Sequence, residues 1–172
     1  MSHLTKHLYI INGTMGVGKS TVSQLLLKRL DNCVFLDGDW CWMMNPFTVN
    51  DETKHIVLDN ITHCINNFIH STTYQNIILC WVIPSQDILN NLLNQIDTNH
   101  VHVYPITLIC SEDKLVERIQ KDIDKGIRHE DVIERAIQYL KNYQSMDTIH
   151  IDVSDMTIED IVQKIKELAN QR

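Results

Sequence analysis

Gly13-Thr14-Met15-Gly16-Val17-Gly18-Lys19-Ser20 constrains this chain more than any other stretch. It matches G-x-x-x-x-G-K-[ST] in full. The apolar run at residues 8–12 precedes it, and Val22, Leu25, Leu26 and Leu30 follow at helical spacing. A strand, a glycine turn and a helix in that order leave the first helical N–H groups free to face an anion. Glycines let the loop turn its N–H groups inward around phosphate oxygens. Lys19 can then reach the β- and γ-phosphates of a nucleotide, and the Ser20 hydroxyl suits a magnesium ligand. The expected ligands are therefore ATP and Mg2+, held by Gly13, Thr14, Met15, Gly16, Val17, Gly18, Lys19, Ser20 and Thr21.

The remaining chain alternates short apolar runs with amphipathic stretches. Strands are expected at residues 8–12, 33–37, 76–82, 102–110 and 148–153, with Pro105 unsettling the first half of the fourth. Helices are expected over 20–30, 51–69 and 130–143, after Pro84-Ser85, after a Ser111 cap, and at the C-terminal end. Gly126 interrupts the helix that follows Ser111. Strands alternating with helices of this length predict a three-layer α/β fold, one domain over 1–172, with a parallel sheet covered on both faces.

Composition narrows the function. A net charge of −7 without a basic stripe argues against a nucleic-acid partner. The longest apolar run, residues 77–84, is far too short to span a bilayer. Five cysteines, at 33, 41, 64, 80 and 110, lie mostly in apolar runs with no C-x-x-C pair. That pattern predicts reduced thiols in a cytoplasmic protein, and residues 1–10 show no leader pattern. Nine histidines form no H-E-x-x-H motif. No heptad marks an interface, so monomer and homodimer stay open.

Two absences favour a phosphotransferase over other nucleotide-binding classes. The third strand runs into Ile83-Pro84-Ser85 rather than ending on an acidic pair, and no Asn-Lys-x-Asp string occurs. Phe35-Leu36-Asp37-Gly38-Asp39-Trp40 instead places two carboxylates at the carboxyl end of the second strand, the edge where open α/β sheets bind ligands. If extended backbone persists, Asp37 and Asp39 point the same way. One could take a proton from an attacking hydroxyl while the other holds the acceptor or magnesium. Trp40, Trp42, Met43, Met44, Pro46 and Phe47 follow at once, and Trp81 should face the same crevice. They would suit an acceptor with a planar or apolar part, or they form a cluster pinning a loop.

The phosphate loop and the F-L-D-G-D run at residues 35–39 resemble the small kinases of the nucleoside monophosphate kinase superfamily. That superfamily includes shikimate and gluconate kinases, and the chain is also similar to its tunicamycin-resistance and chloramphenicol phosphotransferase-like branch. The resemblance implies a five-stranded sheet in the order 2-3-1-4-5, an acceptor region at about 37–70 and a mobile lid at about 121–135. Arg118 sits where such kinases carry an R-I-x-x-R helix whose first arginine lies over adenine, and Asp122 takes the second arginine's place. Arg128 falls in the implied lid. Arg135 with Tyr139 resembles the R-x-x-x-Y helix whose arginine contacts substrate or phosphate. Two departures stand out: Cys80-Trp81-Val82-Ile83-Pro84 replaces D-G-[FY]-P-R, and Trp40-Cys41-Trp42 replaces the gluconate kinase continuation.

The resulting expectation is an ATP- and Mg2+-dependent kinase acting on a small-molecule hydroxyl or phosphate. Its catalytic groups would be Lys19, Asp37 (or Asp39), Arg128 and Arg135, with Ser20 and Asp37 toward the metal. Asp39, Trp40, Trp81 and Arg135 would bind the acceptor. The rival expectations are an ATP-binding sensor with little transfer activity, motivated by Asp122, and a slow ATPase.

Overall fold

A computed structural model describes residues 5–170. Residues 1–4, the start of the segment read for a leader, lie outside the described residues. Among the described residues five strands form one all-parallel sheet: β1 (Lys6–Gly13), β2 (Cys33–Asp37), β3 (Asn76–Cys80), β4 (Val101–Ile109) and β5 (Ile149–Asp152). Their order is β2-β3-β1-β4-β5, as the resemblance implies. Helices α1 (Lys19–Arg29), α2 (Asp51–His70), α3 (Gln86–Asn94), α4 (Glu112–Asp124), α5 (Val132–Tyr143) and α6 (Ile158–Asn170) cover both faces.

The pleat of β1 explains the two cores, because successive side chains leave opposite faces of a strand. Tyr9 and Ile11 pack with Val22 and Leu26 of α1 and with Ile161 and Ile165 of α6. Leu8 and Ile10 pack with Ile61 and Ile65 of α2 and with Leu89 and Leu92 of α3. All these residues are buried, so the middle of β1, Leu8 to Ile11, is apolar on both faces and sits at the centre of the sheet. Burial of each such side chain contributes about 1.5–3 kcal/mol before chain entropy is counted.

Two local expectations need correction. The third strand stops at Cys80, not at residue 82. Beyond it, the Ile83 N–H donates to Asn12 Oδ1 (2.8 Å) and Asn12 Nδ2 donates to the Ile83 carbonyl (3.2 Å). A β1 side chain thus takes up backbone groups that a longer ladder would have used. Pro105, in contrast, lies within β4 opposite Ile10. It is tolerated because β5 begins pairing only at Ile106, so β4 has no neighbour on that side there. The helix expected over 130–143 begins two residues later, after a turn in which Val132 N–H donates to the His129 carbonyl. Among the described residues no helix is long and apolar enough to cross a membrane.

Candidate functional site

The loop between β1 and α1 is shaped by packing on one side and left open on the other. Gly16 has φ 80°, and a Cβ there would lie 2.5 Å from Ile119 Cγ1 of α4. Gly18, the residue before α1, has φ 108° and nothing within 4 Å of its notional Cβ. Only glycine adopts both conformations without strain. Thr14 ties the loop to α5 by donating its hydroxyl to the Ala136 carbonyl (2.7 Å).

Helix α1 begins without a side-chain cap and without an acidic residue in its first turn. By comparison, Asn50, Ser85 and Ser111 cap α2, α3 and α4. The first N–H groups of α1 therefore have no side-chain acceptor beside the positive dipole end, an arrangement that fits an anion. Lys19, the first residue of the helix, is buried and donates to the Thr14 carbonyl (2.9 Å). Among the described residues no carboxylate lies within ion-pair distance of it. Its pKa is pushed down to about 8, chiefly by burial. Cys80, Asp39 and Asp37 pull it back up, whereas Arg128 adds to the depression. A buried cation with no paired anion, beside unclaimed backbone donors, fits the phosphates of a nucleotide. Ser20, next on the helix, is exposed and available to a metal ion.

Across from this loop, the two carboxylates do not keep the extended geometry expected of them. Residues Gly38–Trp42 form a 3-10 turn, and Asp37 caps it by accepting from the Asp39 N–H (3.0 Å). The cap, with Gly38 behind it, turns the chain before a side-by-side pair can form. Both carboxylates still act on Lys19. Asp39 keeps solvent access, and its carboxyl is raised above the usual range by desolvation and by Asp37, against the pull of Lys19 and Arg128.

A crevice of about 820 Å³ opens from this point. Asp39 and Met15 line its phosphate-loop end, Trp42 and Phe47 one wall, Trp81, Val82 and Pro84 the β3 side, and Arg135 and Tyr139 the α5 side. Trp81 is buried and stacks so tightly over Gly38 that a Cβ there would meet its ring at 2.5 Å. Trp40 is not part of this lining. Its ring stands edge-on to Phe35 at 5.6 Å, whereas Trp42, at the end of the 3-10 turn, lines the crevice as expected.

The three arginines have different surroundings. Arg118 donates to the Val17 carbonyl of the loop (3.2 Å) and to the Val153 carbonyl beyond β5 (2.8 Å), so it braces the phosphate loop from behind. Arg128 pairs with Asp122 (3.0 Å), each about a third exposed. Gly126 makes this pair possible. With φ 71° it ends α4 in a Schellman turn, Ile127 N–H to the Asp122 carbonyl and Gly126 N–H to the Ile123 carbonyl, which returns the chain over Asp122. Arg135 is exposed on the crevice wall.

Asn12 and Gly38 were missed as site builders. Asn12 pins the exit of β3 through its two bonds to the Ile83 backbone. Nothing in the sequence marked Gly38 as the seat of an indole ring.

Comparisons with known proteins agree with this architecture. The tunicamycin resistance protein of Deinococcus radiodurans superposes with a TM-score of 0.71 at 16% identity, covering 95% of each chain. A gluconokinase from Sinorhizobium meliloti 1021 gives 0.68 at 16% identity over 98% of this chain and 96% of its own. Shikimate kinase from Acinetobacter baumannii, in complex with shikimate, gives 0.62 at 20% identity over 96% and 93%. At such identities the likeness concerns the fold, a P-loop kinase-like α/β sheet. No curated protein matches the sequence. A family model described as "AAA domain" matches residues 10–148, from within β1 to the approach to β5. With most of its length matched, and with the phosphate loop inside the match, the chain belongs to this AAA domain family of P-loop proteins.

Proposed function

We propose that the chain is an ATP- and Mg2+-dependent phosphotransferase that moves the γ-phosphoryl group to a hydroxyl of a small molecule. The observation carrying this reading is Lys19. It is buried at the start of an uncapped helix without a paired anion, and two carboxylates act on it, one of which, Asp39, lines the crevice. A group that costs this much to bury is retained where a ligand supplies its partner.

Residues 13–21 would hold the nucleotide phosphates through backbone N–H groups and Lys19. Ser20 and Asp37 are the groups suited to magnesium, which when bound would offset charge on the phosphates. Asp39, which lines the crevice and whose carboxyl is raised, is the better placed base. The acceptor oxygen forms a new bond to the γ-phosphorus while the bond to the β-phosphate oxygen breaks. ADP departs with that electron pair, and the hydroxyl proton passes to Asp39. Arg128, which acts on both Lys19 and Asp39, and Arg135 would spread the transferring charge. Arg118 serves the nucleotide through the loop it braces.

One observation favours the sensor alternative: Asp122 claims Arg128 and takes positive charge out of the clamp. An ADP-release assay with magnesium-ATP against nucleosides, sugars, sugar acids and aromatic alcohols separates the two. Acceptor-dependent ADP that disappears in Lys19→Ala and falls in Asp39→Asn is the expected result. ATP binding with only background ADP for every acceptor favours the sensor.

A further inference from the structure

The crevice carries information about what it accepts, and this reading rests on the phosphotransferase proposal above. At about 820 Å³ it lies near the upper end of small-molecule sites. Its rings come from separate segments: Trp42 from the 3-10 turn, Phe47 from the loop before α2, Trp81 from the exit of β3 and Tyr139 from α5. Rings converging from four places on one cavity make a stacking surface rather than a run of apolar sequence. Phe47 is 68% exposed and tilted against Trp42 at 6.1 Å, so much of this wall faces solvent and awaits cover.

The charged groups are sparse and partly spent. Lys54 at the α2 rim is paired with Asp51 (3.4 Å). Asp39 is a carboxylate that would repel an anionic acceptor at the phosphate-loop end. Arg135 is the one arginine in the lining. A nucleoside monophosphate or a polyol acid asks for several cations or a dense set of donors, because each buried polar group needs a partner.

We infer that the acceptor is a neutral, hydroxyl-bearing molecule with an aromatic or fused-ring body. Its ring lies among Trp42, Phe47, Trp81 and Tyr139, and its hydroxyl faces Asp39. Selectivity then comes from ring burial, with the carboxylate disfavouring negatively charged competitors.

The test uses the intact protein and a neutral fluorescent aromatic, N-phenyl-1-naphthylamine, without ATP. Saturable uptake of one probe per chain is expected. Phenyl β-glucoside should displace it at roughly tenfold lower concentration than methyl β-glucoside, the increment of one stacked ring. Gluconate and uridine monophosphate should displace it no better than methyl β-glucoside. Phe47→Ser changes an exposed side chain, so it should leave the fold intact by circular dichroism and weaken the probe about tenfold; Trp42→Ser is the second variant. Absence of saturable uptake, displacement led by gluconate or the nucleotide, or unchanged affinity in both variants would overturn the inference. ADP release on the same samples keeps the two readings apart. Transfer to a polyol acid without probe binding retains the kinase and removes this acceptor class. Ring-dependent displacement with no transfer to any acceptor retains the ligand class and removes the kinase.

Discussion

The two sides of the site are built in opposite ways. On the phosphate side, polar groups are buried and backbone does the shaping: Thr14 and Lys19 are enclosed, and Gly16 is held against Ile119. On the acceptor side, large apolar groups are exposed, with Phe47 and Val49 of the crevice lining both more than half in solvent. A phosphate chain is the same in every nucleotide, so its site can be rigid and made of main-chain donors. An acceptor is particular to one enzyme, and side chains on a loop supply that shape. The first side should therefore respond to substitution by losing chemistry, and the second by losing selectivity.

The largest expected effect sharpens that contrast. Lys19→Met should lower turnover by at least about 10³-fold, the scale of losing a main stabiliser of transferring charge. It should also stabilise the ligand-free protein, by on the order of 2 kcal/mol, because a buried cation without a paired anion is removed. Thermal melting checks this, and a melting point lowered by the substitution would break the account of Lys19 as reserved for ligand.

Gly38→Ala comes next and acts on the other side. Its Cβ would sit 2.5 Å from the Trp81 ring, so the indole must shift at a cost of roughly 1–3 kcal/mol. Acceptor KM should rise severalfold while ATP affinity stays unchanged; equal losses in both would mean the two sides are not separable. Asp122→Ala tests the join between them. Freed from Asp122, the Arg128 guanidinium loses its fixed position, and kcat should fall about tenfold with stability changed by under about 1 kcal/mol. A rise in kcat would instead show that Asp122 restrains the enzyme.

The smallest effect is in pH. Lys19 has a folded pKa near 8, below its ordinary value of 10.5, so above pH 8 the ligand-free protein holds it increasingly neutral. In that window the unfolded chain binds more protons, and this group's contribution makes stability rise with pH from about 8 toward 10.5. Phosphate binding favours the charged form, so ATP should bind with proton uptake between about pH 8 and 9. Calorimetry in buffers of different ionisation enthalpy measures it, and ATP binding without uptake in that window would contradict the assignment.

Legibility in the sequence followed the same division. The strands and the loop could be read because apolar periodicity and a glycine spacing report directly on backbone geometry, whereas the strand order came only through the family resemblance that the motifs carry. The end of β2 at Asp37 was legible, but the alignment of Asp37 with Asp39 depended on extended backbone beyond it, and a short side chain that bonds a nearby N–H converts that strand end into a 3-10 turn. At the end of that turn Trp42 lines the crevice as expected, while Trp40 stands against Phe35 outside it. Asp122 was legible as a departure but not as a partner, since only the turn at Gly126 brings Arg128 back to it. Asn12 was hidden because a side chain that caps a distant backbone leaves no periodic trace.

The most direct test of the central claim, that α1 and Lys19 form a ready anion site for a nucleoside triphosphate, is a calorimetric titration of magnesium-ATP into the wild type and Lys19→Met at pH 7.5. One site per chain in the wild type, with binding lost in the folded variant, is the expected result. No binding to the wild type, or equal affinity in both proteins, would contradict it.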